Sequence, residues 1–98
     1  MASVVTLTTD FGTQDGYVGE MKGVLLGLNP EMTLVDVTHE IRPQDIDHGA
    51  YVLSTITHRF PRNTVHVAVV DPGVGTDRRP IIAEYQGCLF IGPDNGLL

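Results

Sequence analysis

The chain has no tryptophan and a single cysteine, Cys88, in 98 residues. One thiol excludes an internal disulfide and most zinc frameworks, which need several sulfur or imidazole ligands at close spacing. Cations are also scarce: six Lys and Arg stand against twelve Asp and Glu, for a net charge of −6. A nucleic-acid or anionic-membrane surface needs clustered positive charge, so neither is expected as a partner. A neutral or cationic small molecule suits this balance better. No apolar run approaches the roughly 20 residues of a membrane-spanning helix. The opening MASVVTLTTDFG lacks the basic and apolar regions of a signal peptide. The expectation is a soluble, cytoplasmic protein. The rest of the composition, 42% hydrophobic and 18% charged, is that of one globular domain with a modest core.

The pattern along the chain alternates. Residues 4–8 form a β-branched apolar run, a predicted buried strand. Residues 17–28 have helical spacing at Val18, Met21, Leu25 and Leu28, stopped by Asn29-Pro30. Residues 33–37 predict a second strand. Residues 43–58 predict a second helix, with Pro43 suited to its first turn and Ile46, Ala50, Leu53 and Ile56 on one face. Residues 64–70 predict a third strand, and 80–85 and 88–91 a hairpin through Gln86-Gly87. Gly92 to Gly96 reads as a turn. The order implies an α/β fold: a Rossmann-like, mostly parallel sheet with flanking helices, in which every strand but the last runs parallel. Leu97-Leu98 follow a turn, where a further element is expected. Residues 1–98 therefore read as a fragment of a larger α/β protein.

Ligands of open parallel sheets bind beyond the carboxyl ends of the strands. Thr8, Thr9 and Asp10 follow the first predicted strand; Asp36, Thr38 and His39 end the second. Asp71 ends the third, and Asp94 and Asn95 follow the last. Asp36, Asp45 and Asp47 read as caps or turn formers. Asp10 and Asp71 sit beside glycines directly after buried strands, which points to a ligand. The dinucleotide fingerprint and the P-loop are both missing, and Gly73-Val74-Gly75 has no lysine behind it. A nucleotide polyphosphate is therefore disfavoured. A carboxylate accepts two hydrogen bonds, so Asp10 suits the vicinal hydroxyls of a ribose in a ligand without phosphates.

Taken together, TTDFGTQDGYVGEMKGVL, VDVTHEI, VVDPGVGTDRRP and GPDNGLL resemble the S-adenosyl-L-methionine (SAM) hydrolases that form adenosine. These are the SAM hydroxide adenosyltransferases, relatives of the fluorinating and chlorinating enzymes. The resemblance implies hydrolysis of SAM to adenosine and L-methionine, with no metal and no cofactor besides the substrate. It implies a C-terminal β-barrel domain, absent from this chain, and a homotrimer with active sites between subunits. By motif, Asp10 would hold the ribose hydroxyls, with Phe11, Thr13, Asp94 and Asn95 also binding substrate. Asp71 and Arg78 match two members of the family's water-activating trio. The third, a histidine, belongs to a later motif that this sequence does not reach, and His39, His48, His58 and His66 do not match it.

On that resemblance, Asp71 accepts a hydrogen bond from the attacking water and Arg78 offsets its charge. The water attacks ribose C5′ in line, and methionine's thioether leaves. In the halide-using relatives the position of Asp71 is a tyrosine; a charged Asp71 repels a halide, which favours hydrolysis. The position of Gln44 is aromatic in some relatives. Two other readings stay open. One is a metal-dependent hydrolase, with Asp10, Asp71 and Asp94 binding Mg²⁺ or Mn²⁺ through oxygen. The other is a non-catalytic adenosyl-binding fragment, since residues 1–98 alone are expected to be inactive.

Overall fold

The computed structural model describes residues 4–70, 80–93 and 97–98. Its elements are β1 (Val4–Thr9), α1 (Tyr17–Leu28), β2 (Thr33–Thr38), α2 (Ile46–Ile56), β3 (Val65–Val69), β4 (Pro80–Tyr85) and β5 (Cys88–Pro93). A turn of 3₁₀ helix, Thr57–Arg59, extends α2. The strands form one sheet in the order β2-β1-β3-β5-β4. β1 pairs in parallel with β2 and β3, and β3 pairs in parallel with β5. Only β4 runs the other way. The mostly parallel α/β sheet is thus as expected, but the antiparallel strand is the penultimate one and not the last. The hairpin explains the exchange. Gln86 (φ 51°) and Gly87 (φ 80°) both adopt the left-handed conformation of a tight two-residue turn. That turn folds β5 back between β4 and β3.

Several boundaries differ from the sequence reading for local reasons. α2 starts at Ile46 because Gln44 sits at φ 62°, outside helical space. Asp45 caps the helix instead, its Oδ1 accepting the His48 N–H at 2.9 Å. The His48 side chain binds a different residue, its Nδ1 accepting the Arg42 N–H at 3.0 Å. The His48 N–H, and more weakly Arg42, hold the Asp45 carboxyl below the usual carboxylate range. Gly92 and Pro93, read as a turn, continue β5 opposite Ile81 and Pro80. α1 ends as expected: Asn29, ahead of Pro30, is driven to extended backbone (φ −151°, ψ 98°).

The helices cover opposite faces. Lys22 of α1 binds Asp36, which lies beside Leu7 in the ladder. α2 packs Leu53 into a core with Ile41, Ala68, Val70 and Leu97; Ala68 lies beside Thr8, and adjacent strand residues point to opposite faces. Burial of Leu53 contributes roughly 1.5–3 kcal/mol. Gly49 permits the close approach, since a Cβ there would lie 2.8 Å from Leu97 and 3.1 Å from Val70. The α1 stripe is only half-buried at Val18, Met21 and Leu25. Leu28, expected on that face, is 78% exposed.

His66 of β3 is fully buried. Its Nδ1 meets Thr6 Oγ1 at 2.7 Å, and its ring stacks on Phe90 and meets the edge of Phe60. Burial pushes its pKa down. The unfolded chain takes up this proton near the ordinary value of about 6.5, while the folded chain resists it. Stability should therefore be lost as pH falls below about 6.5. Melting curves between about pH 7.5 and 5 should show a shallower loss for His66→Asn than for wild type; equal slopes would mean that His66 titrates freely.

Candidate active site at the carboxyl edge of the sheet

β1, β2, β3 and β5 deliver their carboxyl ends to one edge, at Thr9, Thr38, Val69 and Pro93. The loop after β1 is tied to both neighbouring strands. The Asp10 N–H donates to the Val69 carbonyl at 3.3 Å, and the Gly12 N–H donates to the His39 carbonyl at 2.7 Å. The Ile41 N–H donates to the Thr9 carbonyl at 3.3 Å. Gly12 turns the chain at φ 72°, a conformation costly for a side chain with a Cβ.

Asp10 is half-buried on this loop. Its Oδ2 accepts the Gln44 N–H at 2.8 Å. Its Oδ1 has no hydrogen-bond partner among the described residues. Asp10 lines a cleft of about 680 Å³ with Phe11, Tyr17, Glu20, Met21 and Gln44. The Phe11 and Tyr17 rings meet there, with centroids 6.3 Å apart and planes tilted by 59°. The cleft combines apolar walls with two carboxylates and has no Lys or Arg among its described lining residues. That chemistry suits a flat, uncharged ring system with hydroxyl groups, or a cation, and opposes a phosphate.

Of the residues singled out in the sequence, Asp10 and Phe11 meet in the cleft. Thr13 follows on the same loop, exposed, its hydroxyl donating to Glu40 Oε1 at 3.4 Å; it is not among the residues lining the cleft. Asp71, Arg78, Asp94 and Asn95 lie outside the described residues. Among the described residues, no three His, Cys, Asp or Glu side chains group as a metal site. No helix there is long and apolar enough to cross a membrane.

Sequence reasoning missed what stands behind the loop. Buried Thr9 and His39 meet through Oγ1 and Nδ1 at 2.8 Å. His39 Nε2 lies 2.7 Å from Asp36 Oδ1, and Lys22 Nζ lies 2.6 Å from Asp36 Oδ2. The Lys22 hydrogen bond, then that of His39, holds the Asp36 carboxyl below its ordinary range. The only signal in the sequence was that Thr9 and His39 end successive strands; the parallel β1–β2 pairing brings them together.

The chain matches the family model of the SAM hydroxide adenosyltransferase N-terminal domain over residues 5–98. It is 52% identical to the (R)-S-adenosyl-L-methionine hydrolase of Methanocaldococcus jannaschii, over 96% of this chain and 37% of that protein. It is 33% identical to a fluorinase of Actinoplanes sp., over 85% of this chain and 28% of the relative. In structure it is similar to an uncharacterized conserved protein from Thermotoga maritima, with a TM-score of 0.90 and 38% identity, over 97% of this chain and 36% of that one. The chain thus spans little more than a third of the length of the hydrolase it matches.

Proposed function

Since the chain belongs to the SAM hydroxide adenosyltransferase family, we propose that it is the N-terminal α/β domain of an enzyme that hydrolyses SAM to adenosine and L-methionine. The observation that carries this reading is the Asp10 carboxylate. One oxygen is held by the Gln44 N–H, and the other faces no protein donor among the described residues, beside an aromatic pair in an acidic cleft. A ribose diol fits such an acceptor. A SAM sulfonium fits the Asp10 and Glu20 carboxylates, and adenine fits the ring-lined wall.

In this reading the enzyme holds the adenosyl group so that C5′ faces the attacking water. Asp71 accepts a hydrogen bond from that water and Arg78 offsets the charge of Asp71. The leaving thioether is neutral and needs no acid. Catalysis then consists of aligning and partly deprotonating one water. The test is to incubate the full-length protein with SAM and resolve the products by chromatography, with and without chelator. Adenosine and methionine in equal amounts, insensitive to chelator, are expected. Release abolished by chelator would favour the metal-dependent hydrolase, and no release would leave an adenosyl-binding protein.

Asp10 can be tested by binding alone. In the full-length protein Asp10→Ala should weaken adenosine binding by about 1.5–3 kcal/mol, the range for a hydrogen bond to a charged group. Calorimetry giving an unchanged affinity would remove Asp10 from the ribose site.

A further inference from the structure

Behind the cleft, four side chains form a single file from α1 to the loop that carries Asp10. Lys22 Nζ donates to Asp36 Oδ2 at 2.6 Å, and Asp36 Oδ1 lies 2.7 Å from His39 Nε2. His39 Nδ1 lies 2.8 Å from Thr9 Oγ1, which accepts the Phe11 N–H at 3.2 Å. His39 is 5% exposed and Thr9 fully buried, so water does not compete for the link between them.

The chemistry of these groups gives the file one direction. An ammonium only donates, and an ionised carboxylate only accepts. Lys22 and Asp36 are therefore donor and acceptor, and His39 Nε2 must carry a hydrogen to face Asp36. With the ring neutral, Nδ1 is then an acceptor. The Thr9 hydroxyl must donate to it, which leaves the oxygen lone pairs of Thr9 for the Phe11 N–H. The His39 carbonyl also accepts the Gly12 N–H at 2.7 Å. His39 thus restrains two consecutive peptide groups after Asp10, one through Thr9 and one directly.

We propose that Asp36, His39 and Thr9 form a positioning relay for Asp10: the relay fixes the peptides that follow Asp10, so that its Oδ1 meets the ribose diol in one orientation. Neither His39 nor Thr9 touches the substrate. The inference rests on the reading of Asp10 as the ribose-binding residue. It adds a distinct function for the histidine in VDVTHEI, and for the threonine before Asp10.

Thr9→Val keeps the shape of the side chain and removes the hydroxyl. In the full-length protein it should raise the adenosine Kd by about tenfold, the loss of roughly one hydrogen bond's worth of order. Thr9→Ser, which keeps the hydroxyl, should restore most of the affinity. In the unaltered protein, nitrogen NMR of His39 should show the Nε2–H tautomer with Nδ1 unprotonated.

The outcomes separate the two readings. Equal adenosine affinity in Thr9→Val and wild type, with Asp10→Ala weakened, overturns the relay and leaves the ribose site standing. A His39 ring that carries a hydrogen on Nδ1, whether or not Nε2 carries one too, also overturns it, because Thr9 could then not donate. If Thr9→Ser binds no better than Thr9→Val, packing and not the hydroxyl is what matters, and the relay falls. If Asp10→Ala itself binds adenosine normally, the ribose reading falls first and the positioning role with it.

Discussion

Asp71→Ala and Arg78→Ala, made separately in the full-length protein, should each lower kcat for adenosine release by about 10²–10⁴-fold, the usual contribution of a positioned base. The double variant should be little worse than the more damaged single one, because residues that serve one water act as a unit. SAM affinity should change less than kcat if, as proposed, the pair addresses the nucleophile and not the adenosyl group. Asp10→Ala should show the opposite balance and lose mainly affinity. Arg79, next to Arg78 in the sequence, is the internal control, and Arg79→Ala should be mild. Single-turnover kinetics with calorimetry on the same variants checks all of this. A crippled Arg79→Ala beside a harmless Arg78→Ala would reverse the assignment within the pair. Full activity in Asp71→Ala would remove the water-activating role from the VVDPGVGTDRRP segment.

The second large effect is on stability, at Gly92 of β5. This residue is buried, and a Cβ built on it would lie 2.7 Å from the backbone carbonyl oxygen of Ala68 in β3. A backbone oxygen in a parallel ladder cannot rotate aside as a side chain can, so β3 and β5 must separate. Gly92→Ala should therefore cost about 3 kcal/mol, the upper range for overpacking by one carbon. Gly23→Ala is the contrasting variant, because its Cβ would meet nothing within 4 Å. In the interior of α1 that change should stabilise by about 0.5–1 kcal/mol. Urea unfolding of both variants, with the slope checked for constancy, decides the point. Equal midpoints would show that β3 and β5 are not in the close register described. Because β5 ends at the candidate site's edge, Gly92→Ala should also weaken adenosine binding in molecules that remain folded.

Much of the architecture was legible because it is local. The β-branched run before Asp10 and the 3.6-residue spacing from Val18 to Leu25 each favour one element over short range. Asn29-Pro30 stops α1 by a steric rule, and Gln86-Gly87 makes the hairpin because both residues tolerate positive φ. The exposed Leu28 was misread for the same reason. Periodicity says which residues share a helix face, but not how much sheet lies beneath the last turn. Likewise Pro43 fits a first helical turn in isolation. The chain instead uses Gln44 to reach Asp10, and Asp45 takes over the cap.

Taken alone, the sequence determined the alternation of strands and helices, the hairpin, the scarcity of cations, and the motifs that mark the family. Each depends on residue types within a few positions of one another, where backbone sterics and hydrophobic periodicity act directly. Only the tertiary structure decided that β5 lies inside the sheet, that Gly92 must stay a glycine, and that Thr9, His39, Asp36 and Lys22 form one file behind Asp10. Thr9 and His39 are 30 residues apart, and no local rule links them. They meet because parallel pairing of β1 with β2 brings both carboxyl ends to one edge, where a buried imidazole must find both a donor and an acceptor.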